Sequence, residues 1–159
     1  MKNSQSSNRE EIENNSQFDN LCLFTSTFYK NDPESINRSN LALDFVRNAN
    51  NLWIKVVISD GSPLAEWELM SDFEKNVREI SKDNDKISII RTQKRLEWWT
   101  KSTMADERKQ ALEDWLTKYP NVWHFLWIEP EKWNLITKES LTNLMKTADE
   151  SNADFVIPT

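Results

Sequence analysis

Residues 53–63 read WIKVVISDGSP, in which a largely β-branched run ends at the turn dipeptide Asp60-Gly61. This composition predicts a strand, Trp53 to Ser59, followed by a turn. Four further runs of the same kind occur along the chain: Leu21 to Ser26, Lys86 to Arg91, Val122 to Ile128 and Ala153 to Ile157. The five runs are spaced at about the length of a βαβ unit, roughly 30 residues or a little more.

Between the predicted strands lie four segments whose apolar residues recur at helical spacing. Their stripes are Leu41, Ala42, Phe45, Val46 and Ala49; Leu69, Phe73, Val77 and Ile80; Met104, Ala111, Leu112, Trp115 and Tyr119; and Leu141, Leu144, Met145 and Ala148. Strands that alternate with helices give a mostly parallel sheet with helices on both faces, because the crossovers are right-handed. The sequence therefore predicts an α/β fold, in which ligands bind outside the carboxyl ends of the strands.

The chain of 159 residues has the length of one domain and a net charge of -6. That charge argues against nucleic acid or anionic lipid as a partner, since both are usually met by clustered Lys and Arg. Residues 1–19 are polar and lack the apolar core of a signal peptide, so we predict a disordered leader before a domain spanning 20–159. No stretch is long enough to be a transmembrane segment.

Cysteine, histidine and glycine each occur once in the chain, and their scarcity excludes several kinds of binding site. Cys22 and His124 are the single cysteine and histidine of the chain, which excludes an internal disulfide and a Cys/His zinc site. A reducing, cytoplasmic setting is expected on this ground. Gly61 is the single glycine, so a dinucleotide fingerprint and a Walker A loop are both excluded, because each needs several glycines.

Polar residues follow three of the predicted strands and should converge on one edge of the sheet. They stand within TSTFYK (25–30), DGSP (60–63) and EPEK (129–132). Together with MADERKQAL (104–112) and ADFVIPT (153–159), these segments resemble the GT-A type glycosyltransferase family, in the family's order. The resemblance runs from about Leu21 to Thr159, and the shared order carries it rather than any single motif.

The resemblance implies a Rossmann-like GT-A fold, here its N-terminal donor-binding half, with a nucleoside diphosphate sugar as ligand. It implies that Asp60 accepts a hydrogen bond from the nucleobase, that Thr25 and Phe28 line the same pocket, and that Arg108 approaches the donor. Each residue also has a purely structural interpretation. Asp-Gly is a common turn dipeptide, Thr25 and Phe28 can form a strand-end turn, and Arg108 can form an internal salt bridge, for instance with Asp60.

The family's acidic metal motif falls on Glu129 and Glu131, which could hold Mg²⁺ or Mn²⁺ against the diphosphate. The family usually has Asp at these positions, and here Lys132 follows, which could neutralise phosphate directly. The alternative is a solvated acidic loop before a helix from Asn134 to Ala148.

Seven of the eight Trp residues divide between predicted core and loop positions. Those predicted to pack on strands or helix stripes are Trp53, Trp115, Trp123 and Trp127, and those predicted in loops are Trp98, Trp99 and Trp133. Trp133 stands close enough to the acidic motif to contact a donor. His124 is interpreted as a packed or edge residue rather than a catalytic base.

GT-A enzymes continue beyond the fifth predicted strand with elements that build the acceptor site and often carry the catalytic base. No catalytic residue is therefore assigned, and whether the chain is an enzyme stays open. We expect a glycosyltransferase-like domain that binds a donor for transfer to an unknown acceptor. The alternatives are a non-catalytic nucleotide-binding or interaction domain and a plain α/β scaffold. An exposed edge at the fifth strand would favour self-association.

Overall fold

The computed structural model describes residues 17–91, 109, 112–113, 116–122 and 124–151. Its elements are β1 (Leu21–Thr27), α1 (Pro33–Asn51), β2 (Lys55–Asp60), α2 (Asp72–Ile80), β3 (Ile87–Arg91), β4 (His124–Trp127) and α3 (Lys138–Ser151). A short 3-10 turn, Trp133–Leu135, precedes α3, and the described residues 109, 112–113 and 116–118 are helical. The four strands lie within two residues of the predicted bounds, while the fifth predicted strand, 153–157, lies outside the described residues.

The four strands form one sheet in which every pair is parallel, in the order β3-β2-β1-β4. The α/β class and the parallel sheet predicted from the sequence are therefore confirmed. The chain moves from β1 to β2 and β3 in one direction and then returns to the other side of β1. The topological switch point consequently lies between β1 and β4, and ligands of open α/β sheets bind at such a point.

One face of the sheet carries the larger core. Leu23 of β1 lies beside Val56 of β2, and both pack with Phe45 of α1, Val77 of α2 and Leu141 of α3. All five of these side chains are buried. Three helices thus cover this face, each by some of the residues of its predicted apolar stripe.

The other face carries a smaller apolar cluster built on Cys22, Val57 and Val122. Leu112, which is helical, and Tyr119 pack against these three residues. Cys22 is fully buried in β1. The sheet therefore has apolar side chains covered on both faces, which is why its strands read as continuous apolar runs.

Several predicted positions were wrong in detail. Leu41 is exposed, whereas Leu43, which the predicted stripe left out, is buried in the core. Leu69 is 92 % exposed, because Ser71 caps α2 by accepting a hydrogen bond from the Glu74 amide and the helix begins only at Asp72. The third predicted stripe has Met104, Ala111 and Trp115 outside the described residues.

Trp53 does not lie on a strand as predicted but in the turn that ends α1. Its φ of 55° is positive, and the amide of Ile54 donates to the Ala49 carbonyl at 3.0 Å while the Trp53 amide donates to Asn50. These two bonds make a Schellman motif, whose left-handed position is usually a glycine. In this chain a tryptophan takes the position, and its ring lies under the Lys86 ammonium group at 5.9 Å.

Residues 17–19, which the sequence assigned to the leader, belong to the folded unit. Phe18 is buried in the core, and its carbonyl accepts a hydrogen bond from the Leu21 amide at 3.0 Å. The Gln17 side chain donates to the hydroxyl of Thr142 on α3 at 2.8 Å. No helix within the described ranges is long and apolar enough to cross a membrane.

Candidate functional site

The carboxyl ends of three neighbouring strands are joined by one carboxylate. Thr27, Asp60 and Arg91 end β1, β2 and β3, and the register places each beside the next. The Thr27 hydroxyl donates to Asp60 Oδ1 at 2.9 Å, and Arg91 Nη1 lies 3.1 Å from Asp60 Oδ2. The side chain of Asp60 therefore connects all three strand ends on the face covered by α1 and α2.

Two serines complete the surroundings of the Asp60 carboxylate. Ser62 donates to Oδ1 from its hydroxyl at 2.6 Å and from its amide at 3.2 Å. Ser71, the cap of α2, donates to Oδ2 at 2.7 Å. The Asp60 residue is 0 % exposed, so its charge is compensated entirely by internal donors and by one guanidinium group.

The sequence reasoning placed Asp60 against a nucleobase and named Arg108 as a possible internal partner. The guanidinium beside Asp60 in the structure is that of Arg91, whereas Arg108 lies outside the described residues. Because Asp60 is fully buried among these donors, a base could reach its carboxylate only by displacing one of them. The base-reading role of Asp60 stays a prediction, and its observed role is to connect the strand ends.

Thr25 and Phe28 were expected to line the same ligand pocket. Strand β1 continues to Thr27, so Thr25 lies inside the sheet opposite Ile58 and is buried. Its Oγ1 atom is buried with no hydrogen-bond partner in the part of the chain that the structure describes. Phe28 follows the strand directly and is 46 % exposed, so of the two only Phe28 can meet a ligand in this conformation.

Tyr29, which the sequence reasoning did not single out, connects the end of β1 to α1 and α2. Its amide donates to Ser62 Oγ at 2.9 Å, and its ring meets that of Phe73 edge to face at 5.0 Å. The Arg38 guanidinium lies 6.0 Å from the centre of the same ring. Burial raises the pKa of the Tyr29 hydroxyl well above its usual range, and the nearby Glu131 carboxylate raises it further.

Glu131, predicted as a metal ligand, is paired with Arg38. Arg38 Nε and Nη2 lie 2.9 and 2.8 Å from Glu131 Oε1, and this hydrogen-bonded carboxylate raises the pKa of Arg38. Glu129 and Lys132 are exposed on either side. Within the described ranges no three His, Cys, Asp or Glu side chains are grouped so that they could hold a metal ion. The arrangement does not fit a ready-made divalent cation site, and the metal stays a prediction.

The loops that leave β1 and β4 present exposed side chains at the switch point. Phe28 and Lys30 follow β1, with the Lys30 ammonium 6.0 Å from the Phe28 ring centre. Lys132 and Trp133 follow β4, and both are exposed. Trp133 was predicted in a loop, whereas it begins the short 3-10 turn, and its contact with a donor stays a prediction. Aromatic faces and ammonium groups are suited to stacking on a base and to neutralising phosphate.

Trp67 is an exposed aromatic residue that the sequence reasoning missed. It lies in the loop between β2 and α2 and is 85 % exposed. Its position four residues after the Ser-Pro turn could have identified it as a loop residue. His124, by contrast, begins β4 with its Nε2 atom 2.9 Å from Asp149 on α3, as expected for a packed side chain.

Comparisons with known proteins add no relative from which a role could be transferred. No protein-family model matches the chain. No curated protein and no solved structure matches it either. The functional conclusions below therefore depend on the geometry of this chain and on the motifs quoted above.

Proposed function

We propose that this domain binds a nucleoside diphosphate sugar at the carboxyl edge of its sheet, as the donor-binding part of a glycosyltransferase. The observation that carries the proposal is the strand order β3-β2-β1-β4, which places a switch point between β1 and β4. The loops leaving these two strands are those that resemble the family in TSTFYK and EPEK. The strand order and the two motifs thus indicate the same part of the carboxyl edge of the sheet.

In this proposal the ligand contacts come from exposed residues rather than from the buried ones. Phe28 supplies a flat surface for the base or ribose, and Lys30 and Lys132 supply positive charge for the diphosphate. The amino end of α1 is already capped by Asp32, which accepts a hydrogen bond from the Ser35 amide at 2.9 Å. Phosphate neutralisation therefore rests on the lysines.

Titration calorimetry with UDP and GDP, with and without Mn²⁺, tests the proposal. We expect saturable binding by the parent protein, weakened about tenfold or more in Phe28→Ala and Lys132→Met, which corresponds to about 1.4 kcal/mol. Lys146→Met is the matched control, because its ammonium group is exposed and pairs with Glu150 within α3, outside both loops. Absence of binding by a folded parent, or equal weakening in all three variants, would contradict the proposal.

Asp60→Ala is a poor reporter of ligand contact, because the substitution also removes the hydrogen bonds that join β1, β2 and β3. Glu131→Gln is a better probe of the metal. If Glu131 binds Mn²⁺ after leaving Arg38, the gain in affinity produced by Mn²⁺ disappears in Glu131→Gln. If the gain persists, the metal is held elsewhere or is not bound by this chain.

A second candidate is a nucleotide-binding domain without transferase activity. The pairing of Glu131 with Arg38 favours it, since the carboxylate expected to hold the metal is already engaged. The two candidates differ in turnover. A domain of this second kind binds UDP, but it releases no UDP from UDP-glucose and no GDP from GDP-mannose. Chromatography of the nucleotides after prolonged incubation separates the two.

A further inference from the structure

A cleft of about 410 Å³ lies at the opposite, amino edge of the sheet. Asp19 and Asn20 enter it just before β1, Lys55 at the start of β2, and Lys118 and Tyr119 before β4. The volume falls in the usual range of small-molecule sites, about 300–1,000 Å³. No motif considered in the sequence points to this cleft, and it has no part in the proposed donor site.

The cleft concentrates positive charge on a chain whose net charge is -6. Lys86 Nζ lies 3.0 Å from Asp19 Oδ1, and Lys55 Nζ lies 3.9 Å from the same oxygen. Lys118 Nζ donates to neutral groups, the Ser88 hydroxyl at 2.6 Å and a backbone carbonyl. Two ammonium groups therefore share the Asp19 carboxylate, and the third, that of Lys118, is held by neutral oxygens.

Two of these cations are unusually enclosed for lysines. The side chains of Lys55 and Lys86 are 15 % and 19 % exposed, whereas that of Asp19 is 53 % exposed. Burial lowers the pKa of Lys55, and the neighbouring positive charge of Lys86 lowers it further. The exposed Asp85 carboxylate is a second negative charge near Tyr119. The three ammonium groups of Lys55, Lys86 and Lys118 therefore still outnumber the two carboxylates. An incoming anion would relieve this repulsion.

Tyr119 holds two of the ammonium groups in place. Its ring centre lies 5.8 Å from Lys55 Nζ and 5.3 Å from Lys118 Nζ, and its hydroxyl donates to the carbonyl of Lys86 at 3.4 Å. The lysines are thus positioned by contacts already present rather than free in solvent. Pre-positioned donors lose less conformational entropy when a ligand binds.

We infer that this amino-edge cleft binds a small phosphorylated anion through Lys55 and Lys118, at a site separate from the carboxyl edge of the sheet. Ammonium groups form strong, charge-assisted hydrogen bonds with phosphate oxygens. β1 has seven residues, which separates the two edges by roughly 20 Å at about 3.3 Å per residue. One small ligand cannot span both sites.

Titration calorimetry at neutral pH and low salt, with pyrophosphate and glucose 6-phosphate in separate arms, tests the inference. We expect one saturable site for at least one of them, weakened about tenfold in Lys118→Met. Lys118 has an exposed side chain, so its variant should fold even if Lys55→Met does not. Lys82→Met is the control, because Lys82 pairs with Glu79 at the end of α2.

Three results would overturn the inference. They are no saturation with either phosphate compound, equal affinity of the parent and Lys118→Met, and binding of citrate as tight as that of the phosphate compounds. Lys132→Met should leave this binding unchanged, because Lys132 follows β4 at the other edge. A loss in Lys132→Met equal to that in Lys118→Met would place the anion elsewhere and also count against the inference.

Discussion

Arg38 and Glu131 lie 93 positions apart in the chain, and Arg38 Nε donates to Glu131 Oε1 while Nη2 lies 2.8 Å from the same oxygen. Arg38 belongs to α1, which follows β1, and Glu131 belongs to the loop that follows β4. The pair therefore joins the two segments that leave the switch point. Its formation fixes the conformation of the loop in which the metal motif was expected.

A double-mutant cycle with Arg38→Ala and Glu131→Ala should give a coupling energy of about 0.5–1 kcal/mol. The value is modest because the Arg38 side chain is 53 % exposed, although that of Glu131 is only 19 % exposed. Urea unfolding of the four proteins measures it. The more exposed pair Arg47 and Asp44 is the control and should couple more weakly. Equal coupling energies in the two cycles would show that the pair of Arg38 and Glu131 stabilises the fold no more than an ordinary surface ion pair.

Asp60→Asn should lower the free energy of unfolding by about 3 kcal/mol or more, because it leaves the Arg91 guanidinium and several donors without their charged partner. Asp44→Asn removes an exposed carboxylate and should change stability by about 0.5 kcal/mol or less. Denaturant unfolding at neutral pH compares the two. Similar stability of both variants would mean that Asp60 is not the structural link described here.

Thr25→Val and Thr27→Val should have opposite effects, although both residues lie on the same face of β1. Thr25 Oγ1 is buried without a partner among the described residues, so the apolar isostere should raise stability by about 0.5–1 kcal/mol. Thr27 donates to Asp60, so its loss should lower stability by about 1–3 kcal/mol. Thermal and urea unfolding measure both. If Thr25→Val destabilises the domain, the hydroxyl has a partner that the described residues do not include.

Stability should fall in alkaline solution partly through Tyr119. Burial, followed by electrostatic interaction with Cys22 and Asp85, raises the pKa of Tyr119 to about 12 from its ordinary value near 10. The folded state thus favours the neutral phenol, and this contribution is complete below about pH 10 and is lost as the pH rises toward 12. Between pH 10 and pH 12 the free energy of unfolding of Tyr119→Phe should therefore fall by about 1 kcal/mol less than that of the parent. Parallel slopes of stability against pH for the two proteins would contradict the assignment.

Local pattern was sufficient for the secondary structure of most of the described chain. The β-branched runs at Val56 and Ile89 became strands, and the stripe through Phe45 and Val46 became the buried face of α1. Such features depend on neighbours one to four residues away, which the sequence displays directly. Errors occurred where a cap or turn set the boundary, as at Ser71, which starts α2 later than the apolar spacing indicated.

The side-chain partners at the candidate site could not be predicted in this way. Asp60 was recognised as a strand-end residue, but its pairing with Arg91 depends on β3 lying beside β2 in one particular register. Thr25 was assigned to a ligand pocket, but the structure places it inside the sheet opposite Ile58, and β1 ends at Thr27, one residue beyond the predicted end. Burial and exposure at the strand ends were decided by these tertiary contacts.

The sequence by itself determined the α/β alternation and the exclusion of glycine-rich phosphate loops, because each follows from composition or from short-range periodicity. Only the tertiary structure decided that Glu131 would pair with Arg38 and that lysines would gather around Asp19. These contacts join residues between 36 and 93 positions apart. They exist because parallel strands and their crossover helices bring distant segments to the same edge of the sheet.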